Sequence, residues 1–364
     1  MLSTTSHRLL SNKLLIALTI VLIYRMSLMP LAIFAQPPAG YYNGTEGLTG
    51  TPLQAKLHSI IKDHNAVTYS SIYEHFQQTD KKSNNTVWDM YSDTPGANPP
   101  YVYHFNSDEC GNYNSEGDCF NREHSWPSSW FNDQMPMRTD LFHIYPTDGY
   151  VNNRRSNYPF SVVGSTTWVS LNGSRLGYSN YPGYSDLAFE PIDEYKGDFA
   201  RTYFYMATRY YQEDNGWVSN GMVNGSQLKD WAADLLMEWH TQDPVSEKEN
   251  LRNNAVYFIQ NNRNPFIDQP LFADRIWGGA TGTNNLNTIV FRIEPNPVSS
   301  VARIYFSATV PAQTELQIID LTQRVVYRKM LDSDSPQQIF IENLKPGVYF
   351  VRIGGTFCTK LIKN

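Results

Sequence analysis

The chain has 364 residues, of which 41% are hydrophobic and 18% charged, with a formal net charge of −6. This is the balance of a globular protein with room for two or three domains, and it excludes extensive disorder. It also excludes a chain-wide basic field: residues 36–285 carry 29 Asp and Glu against 17 Lys and Arg, and residues 286–364 carry 6 against 9, so a polyanion would have to be met by a local patch.

In chain order, residues 1–35 read as a cleaved secretory signal. Arg8 and Lys13 precede "LLIALTIVLI", and a second apolar run, "MPLAIFA", ends at Ala35. Each run is too short to span a bilayer, so no stable membrane span is expected in the mature protein, although Arg25 is atypical of a signal and leaves a membrane-anchored N-terminus as the alternative. "TPLQAKLHSIIKDH" (51–64) places Leu53, Leu57, Ile60 and Ile61 on one helical face with Thr51 as cap. "DFARTYFYMATRYY" (198–211) and "SQLKDWAADLLMEWH" (226–240) repeat that spacing and read as core helices. Export permits disulfides, and Cys110 and Cys119 in "DECGNYNSEGDCF" either bridge or stay as two free thiols. A bridge would close a short loop and contribute roughly 2.5–3 kcal/mol; Cys358 is left unpaired. "GGATGTNN" (278–285) is a linker by composition. Beyond it, seven short β-type runs between "TIVFRIEPNP" and "CTKLIKN" predict a β-sandwich, and that unit holds no His and no paired acids to support catalysis.

Ionisable groups concentrate in two stretches, "NREHSWPSSW" (121–130) and "TDLFHIYPTDGYVNNRRSNYPF" (139–160). The first reads as a strand end. In the second, "DLFHIY" alternates like a strand that Pro146 ends, and "TDGYVNNRRSN" opens a helix capped by Thr147 or Asp148. His124 could take a proton from water near neutral pH. Glu123 and either Asn152 or Asn153 offer the hard oxygen donors of a hydrated Mg²⁺, a set that zinc would not prefer. Arg138, Arg154 and Arg155 offer forked donors to phosphate oxygens. Together these are the parts that phosphodiester hydrolysis needs. Trp126, Pro127 and Trp130 read as the packing of the turn that holds them. A Glu–His pair alone is equally an exposed turn or a satisfied core histidine.

Those stretches, with "YYNGTEGLTG", "FEPIDEYKGDFARTYFYMATRYY" and "LLMEWHTQDPVSEKENLRNNAVYFIQNNRNPFID", resemble the bacterial endonuclease I family, whose fold centres on a ββα-metal (His-Me finger) motif. The resemblance spans most of 41–277 and implies a secreted or periplasmic, metal-dependent nuclease of little sequence specificity. Such an enzyme cuts DNA, often RNA too, and leaves 5′-phosphates. By position it makes His124 the general base, and Glu123 and Asn152 the ligands of one Mg²⁺, with Ca²⁺ or Mn²⁺ as alternatives. Arg138 becomes the candidate contact to the cleaved phosphate, Arg155 a phosphate contact or a support of the helix, His143 an orienting group and Asp140 a brace of the strand. Asn262, Arg263, Asn264 and Asp268 in "NRNPFID" read as a satisfied turn. "RIEPNPVSS", "IIDLTQRVV", "LKPGVYFVRI" and the terminal "TKLIKN" resemble the C-terminal sorting domains of type IX secretion substrates, although "TQR" replaces the usual glycine-containing turn. This implies passage through the periplasm to the cell surface or medium, with the type IX machinery as a partner of residues 286–364. The expected fold class is therefore α+β: a helix-rich nuclease domain at 36–277, a linker at 278–285 and an immunoglobulin-like sandwich at 286–364. The rival readings are a noncatalytic surface adhesin or nucleic-acid-binding protein, and a carbohydrate-active hydrolase suggested by the 14% aromatic content.

Overall fold

A computed structural model describes residues 37–278, 291–306, 314–320, 324–331, 337–353 and 357–364. The expected signal, all but the first residue of the expected linker, part of the "TQR" turn and the side chain of Cys358 lie outside the described residues. No helix among the described residues is long and apolar enough to cross a membrane.

The longer helices of the first region are α1 (Gly50–Ile61), α2 (Ile72–Thr79), α3 (Gly149–Arg155), α4 (Lys196–Arg209), α5 (Asp230–Gln242) and α6 (Glu247–Gln260), followed by two short ones, Pro265–Asp268 and Leu271–Trp277. α4 is buried along its whole length, and α1 and α5 pack against it. The apolar spacing read in α1 buries Leu53, Leu57 and Ile61, but the helix begins two residues earlier than expected, with Thr49 as N-cap and Thr51 inside the first turn. α5 starts at Asp230, so Leu228 falls before it, and Ala232, Leu235, Leu236 and Trp239 form its buried face.

Charge is buried where α6 meets α4 and the end of α2. Arg201 pairs with Glu249, Lys248 with Asp198 at 2.6 Å, and Arg252 with Asp80 at 2.8 Å. Arg252 also donates to the carbonyls of Leu141 and Ile144, which fixes the entry to a strand of the site. Buried pairs of this kind contribute little net stability, but removing one partner strands the other in a dry interior.

Strands β1 (Phe120–His124) and β2 (Ile144–Asp148) pair antiparallel, Phe120 opposite Asp148 and His124 opposite Ile144. β2 runs through Pro146 instead of ending there. The ribbon has only two strands, so a proline need only turn its missing N–H away from the single ladder. β3 (Val163–Val169), β4 (Arg175–Ser179) and β5 (Leu187–Glu190) form a separate antiparallel sheet. The expected disulfide is present between Cys110 and Cys119, with Cα atoms 5.4 Å apart.

The C-terminal region is all β. Seven strands, β6 (Phe291–Glu294), β7 (Val301–Phe306), β8 (Glu315–Ile319), β9 (Val325–Met330), β10 (Gln337–Phe340), β11 (Gly347–Ile353) and β12 (Phe357–Lys363), make two open antiparallel sheets ordered β9-β8-β11-β12 and β10-β7-β6. Alternation turns Ala302 and Ile304, Leu316 and Ile318, and Val351 and Ile353 into one buried cluster.

Candidate active site

β1 delivers the first residues. Successive side chains of a strand point to opposite faces, so Glu123 turns toward the interior while Arg122 and His124 share the other face. The loop from Ser125 to His143 is anchored by Trp126, which is fully buried against Trp130, Tyr203 and Trp217. β2 then leads directly into α3, whose N-cap Asp148 accepts from the N–H of Val151 at 2.8 Å. Tyr103 and the N–H of Gly117 hold the other carboxylate oxygen of Asp148, and Asp89 accepts the Asp148 N–H at 3.0 Å. Burial, with the Asp148 charge beside it, pushes the Asp89 carboxyl up to about 7. Gly149 is required here: a Cβ would lie 2.6 Å from the ring of Tyr113.

This ribbon and helix bring Glu123, His124 and Asn152 to one open cleft of about 360 Å³, which Arg122, Ser128 and Ser156 also line. Ser156 closes α3 with φ 54° and ψ −127°, a strained conformation for a residue with a Cβ. Asn153 is exposed and does not line the cleft. Glu123 is buried; its Oε1 accepts from Tyr91 at 2.9 Å and lies 3.2 Å from Arg155 Nη1, while Oε2 makes no hydrogen bond among the described residues. Burial raises the Glu123 pKa against the pull of Arg155 and Tyr91. The amide nitrogen of Asn152 donates to Asn121 at 2.7 Å, and the amide oxygen has no hydrogen-bond partner among the described residues.

His124 is half-exposed as a residue, but its ring is walled by Tyr69, Phe131 and His143. Its Nε2 lies 3.1 Å from the carbonyl oxygen of Arg138. A carbonyl can only accept, so Nε2 carries the proton and Nδ1 presents a lone pair. Loss of solvent, helped by His143 and by the charges of Arg138 and Arg122, lowers the His124 pKa to about 3.

The other expected residues separate by burial. Arg155 is 1% exposed. Its guanidinium meets Glu123, the carbonyls of His124 and Ser125, and the hydroxyl of Tyr203. Of the two roles the sequence left open, these contacts match support, and Arg155 is not among the residues that line the cleft. Arg138 is exposed and lies over the ring of Tyr69 at 4.8 Å. Arg154 is exposed on Tyr150. His143 is fully buried with Nε2 on the carbonyl of Met137, 5.3 Å ring to ring from His124. Asp140 is buried under Tyr205, Tyr210 and Gln260, and caps the turn before β2. Arg263 and Asp268 pair bidentately, and Asn264 caps the next short helix.

Sequence reasoning missed Arg122, Tyr69 and Tyr91. Arg122 had a signal, since alternation within "NREH" puts it beside His124; Tyr69 and Tyr91 arrive from distant segments and had none. Among the described residues no three His, Cys, Asp or Glu side chains gather as a metal-holding group. What the cleft offers is one carboxylate oxygen and one amide oxygen with space for water, a donor set that fits a hard, largely hydrated cation.

Comparison with protein families matches residues 49–271 to Endonuclease I and residues 292–363 to the secretion system C-terminal sorting domain. The chain is 36% identical over 265 residues to an extracellular ribonuclease of Bacillus subtilis (strain 168), covering 69% of this chain and 84% of that protein. It is 36% identical over 248 residues to the extracellular ribonuclease of Bacillus amyloliquefaciens, covering 65% and 78%. Over a shorter span of 131 residues it is 29% identical to the endonuclease-1 of Buchnera aphidicola subsp. Baizongia pistaciae (strain Bp), covering 36% and 46%.

Proposed function

This chain belongs to the endonuclease I family and ends in a type IX secretion sorting domain, and from that premise we propose that it is a metal-dependent endonuclease hydrolysing RNA and DNA with little sequence specificity and leaving 5′-phosphates. Family membership makes the chain a secreted nuclease and sets the carbohydrate-active and adhesin readings aside. The observation that supports the finer reading is that His124, Glu123 and Asn152 line one cleft, and that His124 Nδ1, Glu123 Oε2 and the Asn152 amide oxygen have no hydrogen-bond partner among the described residues. The sequence alone put DNA first. The two relatives that align over most of their length are named ribonucleases, which brings RNA forward.

Glu123 and Asn152 would hold the cation, Mg²⁺ by the hardness of the donors; when bound, it supplies positive charge to the phosphate and to the leaving 3′-oxygen. His124 Nδ1 accepts a proton from the attacking water as the new P–O bond forms and the P–O3′ bond breaks, and a second water returns a proton to O3′. The Arg138 carbonyl keeps His124 in the tautomer this requires. Arg138, exposed and without a carboxylate partner, meets the phosphate oxygens. Arg155 is a positioning residue, holding the Glu123 carboxylate and the carbonyls at the end of β1.

The residues from 36 to 277 form the catalytic domain in this reading, and those from 286 to 364 the export unit, its two sheets facing each other as a small immunoglobulin-like sandwich. The buried cluster drawn from both sheets supports that layout. The route runs through the periplasm. Incubating the purified chain with plasmid DNA and with RNA, in Mg²⁺ and in EDTA, tests the function: cleavage of either polymer in Mg²⁺ alone is expected, and no cleavage by a folded sample in Mg²⁺ overturns it.

A further inference from the structure

We propose that Arg122, pinned by Tyr69 beside the base, forms a second phosphate subsite that binds the phosphodiester adjacent to the one being cut. The inference rests on the nuclease reading and deepens it.

The domain is acidic, and most of its buried arginines are matched: Arg155, Arg201, Arg252 and Arg263 each meet a carboxylate. Arg122 and Arg138 meet none among the described residues; both lie instead over the same ring, that of Tyr69, at 3.8 and 4.8 Å. Arg122 also faces Tyr73 at 4.6 Å and donates one Nη1 bond, 2.8 Å, to the Tyr69 carbonyl. Its Nε is buried and makes no hydrogen bond among the described residues. A guanidinium clamped by two aromatic rings and one carbonyl keeps its charge, loses little freedom on meeting an anion, and lines the cleft.

Its position relative to the chemistry is set by β1. Arg122 and His124 are two residues apart on one face, about 7 Å along the strand, which is comparable with the step between neighbouring phosphates of an extended nucleic-acid strand. Tyr69 couples them further, since its ring stacks on His124 at 11° between planes. While Arg138 and His124 address the scissile phosphate, Arg122 is placed for its neighbour. A substrate with one phosphodiester would leave that cation unmatched, so a longer single strand is the better substrate.

The test uses the full chain with Mg²⁺ and a single-stranded tetranucleotide, scoring cleavage of the middle linkage, with either outer linkage left native or replaced by an uncharged methylphosphonate. In the native chain, neutralising one of the two outer linkages lowers kcat/KM about tenfold, mainly through KM. Arg122→Gln lowers kcat/KM on the native tetranucleotide by a similar factor, shows no further loss on neutralisation, and has a log kcat/KM against log salt slope shallower by about 0.7. Wild-type sensitivity to neutralisation in Arg122→Gln, or an unchanged salt slope, overturns the subsite. If Arg122→Gln does not fold, Tyr69→Leu replaces it, with the same reduced sensitivity expected and full sensitivity overturning. A folded native chain that cuts no linkage in Mg²⁺ overturns the nuclease reading, a failure distinct from a native chain that cuts the middle linkage but ignores both neutralised neighbours, which overturns the subsite alone.

Discussion

Arg155 Nη1 stands 3.2 Å from Glu123 Oε1, with both side chains almost entirely out of solvent. The carboxylate at the floor of the cleft is therefore charge-balanced from behind by a residue that also holds the end of β1 through the carbonyls of His124 and Ser125. Arg155→Met should cost roughly 3–5 kcal/mol of folding stability, because it leaves Glu123 buried without its cation and two carbonyls without a donor. Chemical denaturation measures this; a loss under about 1 kcal/mol would place Arg155 outside the brace assigned to it.

His124→Ala should lower cleavage by roughly 10²–10⁴-fold, the range of a lost general base. The residue is half-exposed and ends a strand, so the melting temperature should barely move. Single-turnover assays beside thermal melts separate the two effects. Activity retained in the alanine variant would remove the base from this position.

The pH dependence should belong to Glu123 instead of His124. A base must be neutral to act, and the lowered His124 pKa keeps it neutral down to well below pH 6.5. The Glu123 pKa moves the other way, raised by burial, so falling pH protonates the carboxylate. In the proposed site proton and cation would compete for the same oxygen, and raising Mg²⁺ should shift the acid limb of kcat/KM to lower pH. Profiles at two Mg²⁺ concentrations decide it: a limb fixed near pH 6.5 at both would assign it to an ordinary histidine.

The Cys110–Cys119 bridge spans a separation of 9 residues immediately before β1, and the carbonyl of Cys119 receives the N–H of Gly149 at the start of α3, 2.9 Å away. Replacing both cysteines by serine should cost roughly 2.5–3 kcal/mol through the unfolded chain. It should also loosen α3, raising the Mg²⁺ concentration needed for half-maximal rate. Melting curves and a Mg²⁺ titration on the double variant check both, and an unchanged Mg²⁺ requirement would confine the bridge to stability.

What was legible in the sequence was local or periodic. The strand end near His124, the cap at Thr147 or Asp148, the helix carrying Asn152, the core faces of α1 and α5, and the seven strands of the tail all follow from side-chain period, capping chemistry and turn residues within a few positions. The order strand, loop, strand, helix allowed His124 and Glu123 to face Asn152 or Asn153, and only the resemblance chose Asn152 between the two. Tertiary structure decided the arginines. Arg138, Arg154 and Arg155 are the same side chain within one short span of sequence, and the fold buries Arg155 beside Glu123 while leaving the others exposed. Tyr69 and Tyr91 reach the site from other segments to wall His124 and hold Glu123. Periodicity says which way a side chain points along its own element; what it meets there, and how much water remains, depends on chain brought in from far away.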